Sequence, residues 1–141
     1  MKNGLFIMMC ALLIVLSAGC SSEDQDSNLY NSWILVSYGS ESNEVLKEAK
    51  GYFYQITFNP DGTYSGIAYG NEMGGQYKRT GNTIIIFDGD ITTVEVIGSD
   101  PDRFFLKHLH DVSTYKISAS ELKLYYSKDE FFKFRIKNSN I

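Results

Sequence analysis

From Trp33 onward, apolar and polar side chains alternate in short runs with a period of two, the mark of half-buried strands. Trp33–Tyr38 is the first run, and Gly39-Ser40 ends it. Residues 42–50 read as a polar connection or one short helix, with Gly51 as its stop. Tyr52–Phe58 and Thr63–Ala68 flank Asn59-Pro60-Asp61-Gly62, where Pro presets one backbone angle and Gly accepts the awkward one, so a hairpin is predicted. Gly74–Thr80 and Thr83–Phe87 predict a second hairpin across Gly81-Asn82, and Ile91–Ile97 follows Asp88-Gly89-Asp90. The alternation then breaks once. Asp100 can cap a helix with Pro101 at its first position, and Phe105 and Leu109 share a face, so Pro101–His110 is predicted helical. Ser113–Ile117, Glu121–Tyr126 and Phe131–Lys137 close the chain as strands. About eight or nine short strands at this spacing predict a mainly β protein, an antiparallel barrel or sandwich whose helix covers one opening.

The beginning of the chain follows a different rule. Lys2 precedes an unbroken apolar run, Leu5–Leu16, and Ser17-Ala18-Gly19 lead into Cys20. A charged start, a short greasy core and small residues before a cut site predict a secretory signal over residues 1–19. The apolar run is short of the roughly 20 residues that cross a bilayer. The Cys placed directly after the small residues resembles the lipobox of bacterial lipoproteins. That resemblance implies acylation of Cys20, which becomes residue one of the mature chain and is anchored in an outer membrane. Residues 20–29 are then expected to be a flexible acidic tether, and 30–141 the folded domain. Ser22-Glu23-Asp24 resembles a signal that sends some lipoproteins to the cell surface, and reads equally as a solvated spacer. The domain is therefore expected to face either the periplasm or the cell exterior.

Composition narrows the function classes. Without the first 19 of the 141 residues, 122 remain, with 12 basic and 17 acidic side chains, which suits one domain. The acidic excess argues against nucleic acid and against adhesion to an anionic membrane by charge alone. Cys10 falls in the signal and Cys20 at its end, so the domain holds no Cys for a disulfide, a thiolate metal site or a nucleophile. Packing must hold it together, and its aromatic side chains can each bury ~150–250 Å². Neighbouring aromatics such as Tyr125-Tyr126 and Phe131-Phe132 must point to opposite faces of a strand. One of each pair is expected inside, and the outward ones are the lead to a binding partner.

Gly66-x-x-Tyr69-Gly70-Asn71-x-x-x-Gly75-x-Tyr77 resembles the Gly-x-x-Gly-Cys-Asn-x-x-x-Gly-x-Tyr signature of the META domain family, which includes heat-inducible lipoproteins. The likeness runs on through Trp33-Ile34-Leu35-Val36, Ile56-Thr57-Phe58, Thr92-Thr93, the helix with Phe104, Phe105 and Leu109, and the strands around Tyr115 and Leu122-x-Leu124. It implies a small, partly open antiparallel barrel with one helix and no established catalytic chemistry. Two Cys positions common in the family are absent: Gly70 takes one, and no Cys follows Thr92-Thr93. Trp33, Gly66, Gly70, Asn71, Gly75, Tyr77, Thr92 and Thr93 are read as architecture. The Gly and Asn positions are expected to make a tight connection between strands, with Trp33 and Tyr77 in the core of neighbouring strands.

Candidate chemistry is sparse. His108 and His110 lie two apart, a spacing that does not put both on one helix face, so no metal site is assigned. Asp88-Gly89-Asp90 and Asp100-x-Asp102 lack the ligand count of a calcium loop and read as turn and cap. There is no nucleophile elbow and no phosphate loop, and nothing in the sequence fixes the separation of Glu72 and Glu95. No catalytic residue and no cofactor is assigned. A non-enzymatic envelope lipoprotein is expected, binding an envelope protein or an apolar ligand, or serving a structural, stress-related role. The alternatives are a lipocalin-like binder of apolar ligands and a hydrolytic enzyme, and nucleic acid is not an expected partner.

Overall fold

The computed structural model describes residues 29–42, 54–68, 70–87, 89–91 and 100–138, and among these described residues nine strands and one helix form. The strands are β1 (Ser32–Ser40), β2 (Tyr54–Phe58), β3 (Thr63–Ala68), β4 (Asn71–Thr80), β5 (Thr83–Ile86) and β6 (Asp90–Ile91). Helix α1 (Asp100–Leu109) leads into β7 (Thr114–Ser118), β8 (Glu121–Tyr125) and β9 (Glu130–Ile136). Cys20, the tether up to Asn28, residues 43–53, Tyr69, Asp88, Thr92, Thr93 and Glu95 lie outside the described residues.

The strands run in the order β3-β2-β1-β9-β8-β7-β5-β4, and β3 also pairs with β4, so eight antiparallel strands close into a barrel. The expected antiparallel barrel with one short helix is what forms. Its narrowest seam is β5–β7, where Thr83 faces Thr114. Ile84 N donates to Ser113 O and Tyr115 N to Asn82 O on either side of that pair. The two-residue β6 hangs on the same side of β4 as β5, further along the strand.

Alternation fills the interior. Trp33, Ile56, Phe58, Ile84, Leu122, Leu124, Phe132 and Phe134 are all buried in one cluster. Burying such a side chain contributes roughly 1.5–3 kcal/mol each. One irregularity protects this pattern. In β1, Leu35 faces Phe134 but Ser37 faces Lys133, so Val36 is an extra residue that shifts the pairing. The shift returns Tyr38 to the inner face, opposite Phe132.

Both barrel ends are covered. At one end α1 sets Phe105 against Tyr54 and Phe132 at 5.1 and 5.0 Å between ring centres, and Phe104 against Tyr38 at 5.1 Å. At the other end Leu29 is fully buried and its carbonyl accepts the Trp33 indole N–H at 3.0 Å. Arg79 donates to the Tyr30 hydroxyl at 2.9 Å beside it. Leu29, a residue that composition alone assigns to the tether, is thus part of the barrel's core.

Two sequence expectations change here. Gly74 does not begin β4; the strand starts at Asn71 and runs through both glycines. Tyr77 and Trp33 are core residues but not on neighbouring strands, since β2 and β3 separate β1 from β4 around the ring.

Candidate functional site

The Gly/Asn/Tyr motif spreads over two strands and does not gather in one turn. Gly70 sits in the β3–β4 connection, with φ of +82°, a conformation that costs a side chain dearly. Gly66 lies inside β3, where a Cβ would stand 2.1 Å from the Gln55 carbonyl oxygen. Asn71 opens β4 and is buried, opposite Ala68. Gly75 is opposite Tyr64, and a Cβ there would come within 2.9 Å of the Tyr64 ring. The ring can cross β4 over that bare position, and its hydroxyl donates to the Phe87 carbonyl at 3.2 Å. Tyr77 packs edge-on against Phe58 at 5.0 Å and donates to the Asn59 carbonyl at 2.7 Å. Burial pushes its hydroxyl up to about 12. Gly66, Gly70, Gly75 and Tyr77 thus each meet a steric or hydrogen-bonding demand of the barrel.

The same glycines shape a groove on the outer surface. Gly74 has its position on the outer face of β4, between Glu72 and Gln76, and faces Asp90 of β6. A Cβ on Gly89 would lie 1.6 Å from the Gly74 carbonyl oxygen, so the two backbones run in direct contact. Above this bare backbone is a groove of about 770 Å³ bordered by Glu72, Gln76, Phe87 and Asp90. Phe87, which borders it, is 39% exposed, and with Ile67 and Ile85 at 37 and 51% makes up the large apolar side chains that are exposed among the described residues. Ile67 is the cross-strand partner of Glu72, and Ile85 that of Lys78, whose ammonium lies 5.7 Å from the centre of the Phe87 ring. Sequence reading missed Phe87, Gly74 and Asp90 as neighbours. The one legible signal was the unbroken run Ile84-Ile85-Ile86-Phe87, which forces two apolar side chains outward.

Comparison with known proteins matches the model of the META domain to residues 27–138, most of the chain. The chain belongs to the META domain family. No curated protein matches it. In fold it is similar to a DUF4847 family protein from Bacteroides vulgatus ATCC 8482, at 15% identity and a TM-score of 0.63, covering 83% of this chain and 99% of that one. A protein from Burkholderia xenovorans is similar at 16% identity and a TM-score of 0.56, covering 83% and 88%. At such identities the likeness speaks for the barrel alone.

Other polar groups of this META domain serve packing. His108 Nδ1 lies 2.8 Å from Asp111, and the ring sits against Phe104 and Tyr126 at 4.5 and 5.1 Å. His110 instead turns to the Ile86 carbonyl at 3.5 Å. The two histidines thus have separate partners. No three His, Cys, Asp or Glu side chains converge among the described residues. On the outer face of β7, β8 and β9, Tyr125 and Phe131 are buried although strand parity turns them outward. Lys116 and Lys123 lie over them, 5.2 and 4.4 Å from the ring centres. Tyr125 donates to Glu41 at 2.8 Å, and Lys123 pairs with the same oxygen at 3.1 Å. These bonds, Tyr125 first and then Lys123, hold the Glu41 carboxyl below its ordinary value, while burial and then Glu41 push the Tyr125 hydroxyl up to about 12. The expectation that outward aromatics lead to a partner therefore fails for this pair: the protein covers them itself.

Proposed function

We propose that this META domain protein is an envelope lipoprotein, held in an outer membrane by acyl chains on Cys20, whose barrel is a non-enzymatic binding or structural module. The observation that carries the reading is the order Lys2, Leu5–Leu16, Ser17-Ala18-Gly19-Cys20. The family match begins only at residue 27, downstream of that signal. Two or three acyl chains hold far more firmly than one, because each buried CH₂ contributes ~0.8 kcal/mol.

A binding or structural role draws support from how the titratable groups are used. His108, Asp111, Glu41 and Lys123 are committed to one another and to aromatic rings. A lipocalin-like binder is the weaker reading. Helix α1 and Leu29 cover the two barrel ends, and the side chains between them fill the core. An apolar ligand would have to displace Phe105 or Trp33 to enter.

Changing Cys20 to Ser tests the anchor. Metabolic labelling with palmitate should mark the parent protein and not the variant, and the variant should move to the soluble fraction. Label persisting in the variant would place the anchor at another residue and sink the reading.

A further inference from the structure

We infer that the outer face of β7, β8 and β9 is a membrane-facing surface, whose lysines and arginine meet the phosphates of an anionic phospholipid leaflet. The inference deepens the anchoring reading and rests on it. Acyl chains on Cys20 would hold the protein, and this face would set how the barrel lies.

Charge is segregated on this face. The whole chain carries 17 acidic and 13 basic side chains. Yet the outward positions of three adjacent strands hold Lys116, Lys123, Lys133 and Arg135, and Lys137 follows directly after β9. Lys116 is the cross-strand partner of Lys123, and Lys123 that of Lys133, so three lysines stand abreast. Like charges placed directly opposite each other cost stability, so packing gives no reason for this row. The carboxylates set against it are Glu41, 3.1 Å from Lys123, and Glu121, 3.7 Å from Lys133. Those pairs engage the two half-buried lysines in the middle. Lys116, Arg135 and Lys137 around them are exposed, and Lys137 donates to the neutral Gln55 amide at 3.0 Å. The face therefore keeps a positive excess that the net charge of the chain hides.

Shape favours a leaflet over an acidic protein segment. β8 and β9 are each hydrogen-bonded to a strand on both sides, so neither offers an open edge for an added strand. Tyr125 and Phe131 are buried already, with Lys116 and Lys123 over their rings at 5.2 and 4.4 Å. What the face presents is a row of cations on a closed sheet. Anionic headgroups diffuse in the leaflet and gather at basic clusters without needing a pocket.

The start of the barrel lies beside the same face. Lys137 N donates to the Ser32 carbonyl at 2.8 Å, and Arg135 is the cross-strand partner of Ile34. The chain from Cys20 to Leu29 can span at most roughly 30 Å, so an anchor at Cys20 keeps this end of the barrel close to the leaflet. Attraction between exposed charges acts over about 8–10 Å at ordinary ionic strength, a distance that such a tether lets the face reach.

The test reconstitutes the full chain in nanodiscs of phosphatidylcholine, alone or mixed with phosphatidylglycerol. Mass spectrometry then follows how fast an amine-acetylating reagent modifies each lysine. Lys116 and Lys137 report on the face, and Lys78, exposed on β4 across the barrel, is the control. On the anionic discs Lys116 and Lys137 should react about fivefold more slowly than on the neutral ones, the scale that one cation gains at such a surface. Lys78 should react equally on both. The difference should vanish in about 1 M salt, where charges are felt over only ~3 Å. The double variant Arg135→Gln, Lys137→Gln changes two exposed side chains and should bring Lys116 close to its neutral-disc rate on the anionic discs. Unchanged emission from the buried Trp33 would verify that the variant folds. Slowing of Lys78 by the same factor would place the contact elsewhere and overturn the proposal. Equal rates for chains that stay on both kinds of disc would overturn this inference alone. Protein that leaves both kinds of disc would overturn the anchor, and this inference with it.

Discussion

Two outer faces of this barrel treat the same problem in opposite ways. Strand parity forces some aromatic and aliphatic side chains away from the core on both. On the β7–β8–β9 face, Tyr125 and Phe131 are buried beneath Lys116 and Lys123, and Glu41 pins the assembly. On the β3–β4–β5 face, Ile67, Ile85 and Phe87 stay exposed, and Phe87 borders a trough. The difference teaches that an outward aromatic is not a binding site by itself. What covers it decides, and that depends on the neighbours two residues along and one strand across.

The largest effect should come from the covered face. Phe131→Ala removes a fully buried ring and should cost ~3–5 kcal/mol in urea or guanidinium unfolding, as a core aromatic does. A cost near zero would mean that the lysine cover is superficial and the two faces are alike. Next, Gly89→Ala should cost ~1–3 kcal/mol, because its Cβ would stand 1.6 Å from the Gly74 carbonyl oxygen and the backbones must part. An unperturbed melting temperature would show that the trough floor is soft and not preformed.

A smaller, pH-dependent effect separates the faces further. Hydrogen bonds from Tyr125 and Lys123 hold Glu41 below its ordinary value of 4.5. A lowered folded value means that its stabilisation is full above 4.5 and is lost as pH falls through the folded value. Glu41→Gln should thus lower stability at pH 7 by less than Gly89→Ala does. The gap between parent and variant should close on acidification below 4.5, followed by denaturant midpoints. A gap that stays constant with pH would remove the charge from the account of the covered face. The smallest effect belongs to the bare face. Ile85→Thr should change stability by only about 0.5 kcal/mol or less, because half of that side chain already stands in solvent. Trp33 is the single tryptophan and lies in the core, so its fluorescence reports every one of these transitions.

The sequence was legible where local chemistry acts alone. Period-two runs placed eight of the nine strands within a few residues, and Pro101, Phe105 and Leu109 marked the helix. The β2–β3 turn followed from Asn59-Pro60-Asp61-Gly62, where Gly62 takes φ of +83°. It was misleading at Gly74-Gly75, which looked like a strand boundary. Their meaning is supplied by Gly89, a residue some fourteen positions away that presses on them from just before β6.

What the sequence determined by itself was the mainly β class, the strand order along the chain and the family. These rest on residue type and short spacing, which a linear chain displays directly. Only the tertiary structure decided which outward side chains are covered, that Leu29 closes one end of the barrel, and that Gly74 lies against Gly89. Each depends on a contact between segments distant in sequence, and such contacts are chosen by the global packing of the barrel, where a single extra residue at Val36 turns Tyr38 inward.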